Sequence, residues 1–213
     1  MNCLVIAATA GEIGPFADRL KLAGPAVQGI SILITGVGLT ATTYSLTREL
    51  VFRRPDRIIQ AGIAGCFDQT LALGSVFTVG SDLVADQGVF EREGWKSTVD
   101  MGYTPANSLP YSNGWLVNPD AGNPSDLPRV KAVSVNQVST DPRLVESWKN
   151  RYQPTLETME GAALHYVALS ENIPFLQLRA VSNYVGERDK KNWDIKNAII
   201  NLNKELQKLL PLP

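Results

Sequence analysis

Cysteine and histidine are nearly missing from this 213-residue chain: Cys3, Cys66 and His165 are all it has. Two thiols cannot build a disulfide framework, and no Cys/His cluster has metal-ligand spacing. A reducing cytoplasm and chemistry without metal or cofactor are therefore expected. An excess of one charge is missing too, with 20 Lys and Arg against 21 Asp and Glu and a net charge of −1. Without a basic field, binding of a nucleic acid through a charged face is excluded. No membrane segment is expected either. The opening Met1-Asn2-Cys3-Leu4-Val5-Ile6-Ala7-Ala8 lacks a basic lead and reads as a buried strand rather than a signal peptide. The uncharged stretch 22–47 is broken by Gly24, Pro25, Gln28, Gly29, Ser31 and several threonines. What is present, 44% hydrophobic and 19% charged residues, suits a folded core. The length predicts one domain over 1–213, with a small molecule as its partner.

Apolar runs of strand length recur at Leu4–Ala8, Ile30–Thr35, Arg57–Ala61, Val76–Val79, Val130–Val135 and Pro174–Leu178. Helical patterns fall between several of them: Thr40–Phe52, Pro142–Arg151 behind an Asp141 cap, Glu160–Ser170, and Ile195–Leu210 with an apolar stripe of helical period. The alternation predicts an α/β fold around a largely parallel sheet. Residues 97–128 differ, carrying Pro105, Pro110, Pro119, Pro124 and Pro128 with Gly102, Gly114 and Gly122. So long an irregular stretch predicts an excursion that covers substrate or contacts a second subunit.

Gly36-Val37-Gly38-Leu39-Thr40-Ala41 follows a strand and opens a helix, the looser form of a dinucleotide-binding turn. The next strand ends in Gly62 rather than an acid that could hold a ribose, so a tight turn needing small residues is the better reading. Ala61-Gly62-Ile63-Ala64-Gly65-Cys66 ends another strand with two glycines, where a ligand can approach the backbone closely. Glu12 sits four residues past the first strand, and Glu160 stands where a helix starts; taken singly, either is an ordinary loop acid or an acid favoured by a helix dipole. The last strand delivers Arg179-Ala180-Val181-Ser182-Asn183-Tyr184-Val185-Gly186-Glu187-Arg188, whose Ser and Asn could equally be turn residues. His165, inside a helix, is expected to pack or face solvent rather than to catalyse.

Together and in this order, these pieces resemble the purine nucleoside phosphorylase superfamily, and within it the nucleosidases of methylthioadenosine and S-adenosylhomocysteine. The resemblance implies a three-layer nucleoside phosphorylase-like fold with a central mixed, largely parallel sheet, and a homo-oligomer, a dimer or higher. Those nucleosidases end their last motif in Arg-Ala-Ile-Ser-Asp, whereas this chain has Asn183 at the final position. In that departure it is similar to the superfamily members that cleave futalosine, releasing hypoxanthine on a route to menaquinone. Adenine offers an amino donor beside its N7 acceptor, but hypoxanthine offers O6 and N7, both acceptors. An Asn amide can donate to them where an ionised Asp would face lone pairs.

The resemblance further implies that Glu12 orients the attacking water, Glu160 holds the ribose hydroxyls with Met159 against the sugar, and Arg179 positions the water and its carboxylate neighbours. Ala64, Gly65, Val138, Ser139 and Ser182 would line the substrate. Phosphorylases of the superfamily have a phosphate-gripping Arg where this chain has the neutral Gln60, which favours water as the nucleophile. Relatives stack an aromatic on the base near 134–139, yet none is present there. A partner for the substrate's carboxyphenyl end is sought in 86–115 and at Arg188. The rivals are a methylthioadenosine/S-adenosylhomocysteine nucleosidase, a 6-oxopurine phosphorylase, and a nucleoside-binding sensor without catalysis. The last has no use for a carboxylate at the water position.

Overall fold

A computed structural model describes residues 2–24, 27–92, 94–119 and 126–212. In chain order these form β1 (Cys3–Ala7), α1 (Gly14–Ala23), β2 (Ile30–Ile34), α2 (Leu39–Phe52), β3 (Arg57–Cys66), β4 (Val76–Asp82), β5 (Gly88–Glu91), β6 (Gly94–Ser97), β7 (Leu116–Val117), β8 (Arg129–Ser134), α3 (Pro142–Tyr152), β9 (Leu156–Thr158), α4 (Gly161–Ser170), β10 (Phe175–Tyr184) and α5 (Ile195–Leu209).

Alternating side chains sort β1 between two helical layers, as the two-residue period of a strand requires. Cys3, Val5 and Ala7 pack with Phe16 of α1 and with Ala198, Leu202 and Leu206 of α5. Leu4 and Ile6 point the other way, to Leu46 of α2 and Leu164, Val167 and Ala168 of α4. A strand buried on both faces has no polar alternation, which is why the sequence shows it as an apolar run.

The central sheet is mixed and largely parallel, as expected. β1 pairs parallel to β2 and β3, β3 to β10, β4 to β8, and β8 to β9. The β10–β4, β3–β9 and β4–β7 pairs are antiparallel. Because β3 pairs with both β10 and β9, strands β3, β10, β4, β8 and β9 close into a ring, from which β1 and β2 extend. The expected helices are present, and Asp141 caps α3 by accepting from the Arg143 amide. β3 and β10 run several residues past their expected ends. They pair from Phe175↔Ile58 to Tyr184↔Cys66 with one register shift between Val181 and Asn183, and this lateral bonding holds the glycines and polar residues in extended backbone. Arg179 through Asn183 is therefore strand, not turn.

The described part of the excursion packs onto its own domain. β7 adds to the edge of β4. Trp115 meets Tyr152 edge-on at 6.1 Å, Tyr111 meets Tyr166 at 6.1 Å, and Asn118 Nδ2 donates to the Phe175 carbonyl. Residues 120–125, with Gly122 and Pro124, lie outside the described residues. Among the described residues, no helix is long and apolar enough to cross a membrane.

Candidate active site

A cavity of ≈ 380 Å³ opens beyond the carboxyl ends of β1, β3 and β10, flanked by β9 and the turn after β2. This is the end of an α/β sheet where ligands generally bind. Glu12, Ala64, Gly65, Val138, Ser139, Met159, Glu160, Ser182 and Asn183 all line it. Residues separated by up to 171 positions in sequence thus meet in one place, including every expected site residue except Arg179.

Glu12 is only 8% exposed. Its Oε2 accepts from the Thr9 amide at 2.9 Å and the Thr9 hydroxyl at 3.1 Å, and its Oε1 accepts from the Ile63 amide at 3.1 Å. Three donors fix the carboxylate in place on the wall of the cavity.

Glu160 does not cap its own helix. The first turn of α4 is instead held by Thr158 Oγ1, which accepts from the Gly161 amide, and Ser134 Oγ, which accepts from the Ala162 amide. Glu160 Oε1 reaches across to accept from the Gly38 amide at 3.0 Å, and Oε2 lies 3.4 Å from Arg179 Nη1. The Gly36–Gly38 turn is thereby explained without a dinucleotide. Gly38 has φ +94°, a conformation open to glycine, and it presents its amide to the carboxylate.

Arg179 is 1% exposed and stands behind the carboxylates rather than on the cavity surface. Its Nη2 donates to Gln60 Oε1 at 2.9 Å. A side chain at Gly62 would run into Arg179 Nη1 and Glu12 Oε1, so this glycine makes room for the guanidinium. Arg179 Nη1 lies 3.4 Å from both Glu160 Oε2 and the Ile63 carbonyl. Gln60 is its buried anchor. Among the described residues lining the cavity, Arg188 is the one cation, beside the four carboxylates Glu12, Glu157, Glu160 and Glu187 that also line it.

Asn183 has a fixed orientation. Its Oδ1 accepts from the Ser182 hydroxyl at 2.8 Å, and its Nδ2 donates to the Tyr184 carbonyl at 3.1 Å. A carbonyl cannot donate, so the amino end must face it, leaving the second N–H as the donor on offer. An ionised Asp here would set an oxygen against that carbonyl. Opposite, Ser139 is already engaged: its amide donates to Glu157 Oε1 at 3.0 Å, and its hydroxyl accepts from Trp148 Nε1 at 3.0 Å. Burial raises the Glu157 carboxyl above its usual range, against the lowering effect of the Ser139 bonds.

Among the lining residues not singled out as site residues in the sequence are Glu157, Val185 and Trp193. Glu157 could have been noticed as an acid inside the buried run Leu156-Glu157-Thr158. Trp193 carries no comparable signal; it meets the cavity because the loop after β10 folds back, with its Nε1 donating to the Glu187 carbonyl. Arg188 does line the mouth, stacked over Trp193 at 5.4 Å. No described residue of 86–115 lines this cavity; Tyr111 packs on Tyr166 of α4 and Trp115 on Tyr152 of α3.

A second polar cluster lies sealed beneath α4. Asp82 Oδ1 accepts from the Leu83 amide and the Ser134 hydroxyl, and Oδ2 accepts from Gln177 Nε2 at 3.4 Å. Burial pushes Asp82 up to about 7. His165 is wholly buried rather than solvent-facing, donates from Nδ1 to the Leu116 carbonyl at 2.9 Å, and packs on Phe175 at 4.6 Å. Burial drives it down to about 4.

Residues 21–211 match the model of the phosphorylase superfamily. The futalosine hydrolase of Streptomyces coelicolor is 30% identical over 87% of this chain and 80% of its own length. That of Thermus thermophilus is 29% identical over 92% of this chain and 87% of its own. Among solved structures, the 5′-methylthioadenosine/S-adenosylhomocysteine nucleosidase of Helicobacter pylori superposes with a TM-score of 0.78, covering 99% of this chain and 98% of its own at 16% identity.

Proposed function

Given that the chain belongs to the phosphorylase superfamily, we propose that it hydrolyses the N-glycosidic bond of futalosine and releases hypoxanthine. The observation that carries this reading is the composition of the cavity: two buried carboxylates at the sugar end and, on β10 beside β3, an Asn amide locked as a donor.

Cleavage of a glycosidic bond passes through a cationic sugar, which carboxylates stabilise. Glu160, held by the Gly38 amide and Arg179, takes the ribose hydroxyls, with Met159 against the sugar face. Glu12 takes a proton from water as its oxygen bonds to C1′ and the C1′–N9 bond breaks. Asn183 donates to O6 or N7 as negative charge grows on the leaving base, which finally takes its proton from solvent. A neutral Gln60 buried against Arg179, with Arg188 as the one cation lining the cavity among the described residues, supports water rather than phosphate as the nucleophile. The same reading makes the protein a single-domain cytoplasmic homo-oligomer.

Release of base is measured from futalosine, its 6-amino counterpart, inosine and methylthioadenosine, with and without phosphate. Hypoxanthine and free sugar from futalosine, at a rate indifferent to phosphate, are expected. A sugar 1-phosphate as main product, or methylthioadenosine as the preferred substrate, overturns the reading.

A further inference from the structure

Asn203 is the one polar residue that α5 buries, 2% exposed beside the buried Ala198, Leu202 and Leu206. Its carboxamide is engaged at both ends. Oδ1 accepts from the Phe16 amide at 3.0 Å, and Nδ2 donates to the Glu12 carbonyl at 2.8 Å and the Ile199 carbonyl at 2.8 Å. Phe16 and Glu12 are four residues apart, so this amide and this carbonyl are the pair that an α-helix would join directly. Here a side chain from α5 stands between them. Helix α1 starts at Gly14, and its cap residue Ile13 has no side-chain oxygen to offer the first turn. Asn203 supplies that oxygen from 187 positions away.

The bridge bears on chemistry because of the carbonyl it holds. Glu12 has its side chain fastened to Thr9 and to the Ile63 amide, and its main chain fastened to α5. Asn203 does not line the cavity, whereas Ile199 and Ile195 of the same helix do. We propose that Asn203 is a positioning residue for the reaction: by keeping the Phe16 amide off the Glu12 carbonyl it stops α1 from starting earlier, and so keeps the Glu12 carboxylate on the cavity wall. Without the bridge the two backbone groups close on one another, Glu12 is drawn onto the helix, and its carboxylate leaves the Thr9 and Ile63 donors. This role rests on the reading of Glu12 as the base that activates water, and it names what sets that base in place.

Asn203→Ala tests it beside Asn201→Ala, which removes a bond of the same kind from the same helix, Asn201 Nδ2 to the Gly74 carbonyl at 2.9 Å. In Asn203→Ala, kcat for futalosine should fall by about tenfold or more with KM changed less than about threefold, since misplacing a reacting group by about 1 Å can cost 10²-fold. Asn201→Ala should keep kcat within about twofold, because Gly74 lies outside the site. Added to Glu12→Gln, Asn203→Ala should cost no further turnover, because a base already removed cannot be misplaced. Unchanged kcat in Asn203→Ala, an equal loss in Asn201→Ala, or losses that multiply in the double variant overturn the proposal. If Asn203→Ala does not fold, Asn203→Asp takes its place in all three measurements: it keeps an oxygen for the Phe16 amide but sets another against the Glu12 carbonyl. Futalosine cleaved equally well by the unmutated protein and the variant removes this inference alone; no cleavage by the unmutated protein removes the function with it.

Discussion

Glu12 in the cavity wall and Asp82 beneath α4 each accept three hydrogen bonds and are 8% and 0% exposed. Their surroundings differ in what remains open. Around Glu12, carboxylates, amide and backbone face a common space, and the absent side chain of Gly62 leaves room for Arg179 behind it. Around Asp82 the space is closed, because a side chain at Gly161 would strike its Oδ2 and the Gln177 amide. Burial of a polar group thus serves two ends here. In the cavity it aims a group at a ligand; under the helix it joins α4 to β4, β8 and β10. The comparison implies that substitutions in the cavity cost turnover, whereas those in the cluster cost stability.

The sharpest break of that contrast is Glu12→Gln. Turnover should fall by a factor on the order of 10²–10⁴, the range for a general base, with KM little changed. Steady-state kinetics beside a thermal melt give the test; a variant with normal turnover would remove Glu12 from the chemistry.

Glu160→Ala blurs the division, because this carboxylate belongs to both classes. It should lower kcat/KM on the order of 10²-fold through the lost ribose contacts. It also strips Arg179, 1% exposed, of its ion-pair partner, and an uncompensated buried charge costs about 3 kcal/mol. Denaturant unfolding should show that loss, and an unchanged midpoint would mean that Gln60 and the Ile63 carbonyl suffice for the guanidinium.

Asn183→Asp sharpens the comparison from within the cavity. An oxygen then replaces the N–H that faces the Tyr184 carbonyl and the base, and the preference for a 6-oxo over a 6-amino nucleoside should shrink by about 2 kcal/mol. Specificity constants for both substrates measure it. An unshifted ratio would show that residue 183 does not read the base.

Much of this was legible in the sequence, and the unread part has physical reasons. The cores of β1, β3 and β10 are apolar runs because both faces are covered; Glu12 stands just beyond β1, Asn183 within the end of β10, and Glu160 between β9 and α4. The extent of β3 and β10 was not legible, since nine lateral pairings between distant segments override the local turn signals of glycine, serine and asparagine. Nor was the place of Arg179: a charge at a strand end reads as surface, and only the absent side chain of Gly62 lets it withdraw behind the carboxylates.

The smallest effect concerns the sealed cluster, and it appears only as a slope against pH. An unfolded Asp releases its proton near pH 4, while folded Asp82 holds one up to about 7. Between these values the folded state carries the extra proton, so this group's contribution falls as pH rises. His165 acts oppositely: unfolded it takes a proton near pH 6.5, whereas folded it stays neutral down to about 4. Its contribution falls as pH drops through that window. From about pH 4 to 6.5 the two protons cancel, and the cluster as a whole is nearly indifferent to pH. Asp82→Asn removes one half of the balance. Asparagine still offers an oxygen to the Leu83 amide, but the imidazole now acts alone. Stability of the variant relative to the unmutated protein should therefore decline as pH is lowered from 6.5 toward 4, by up to about 1.4 kcal/mol per unit, the limit for one proton. Urea unfolding of both proteins at pH 7, 6 and 5 measures the difference. A constant difference would mean that folded Asp82 does not hold its proton above the unfolded value, since His165 contributes alike to both proteins.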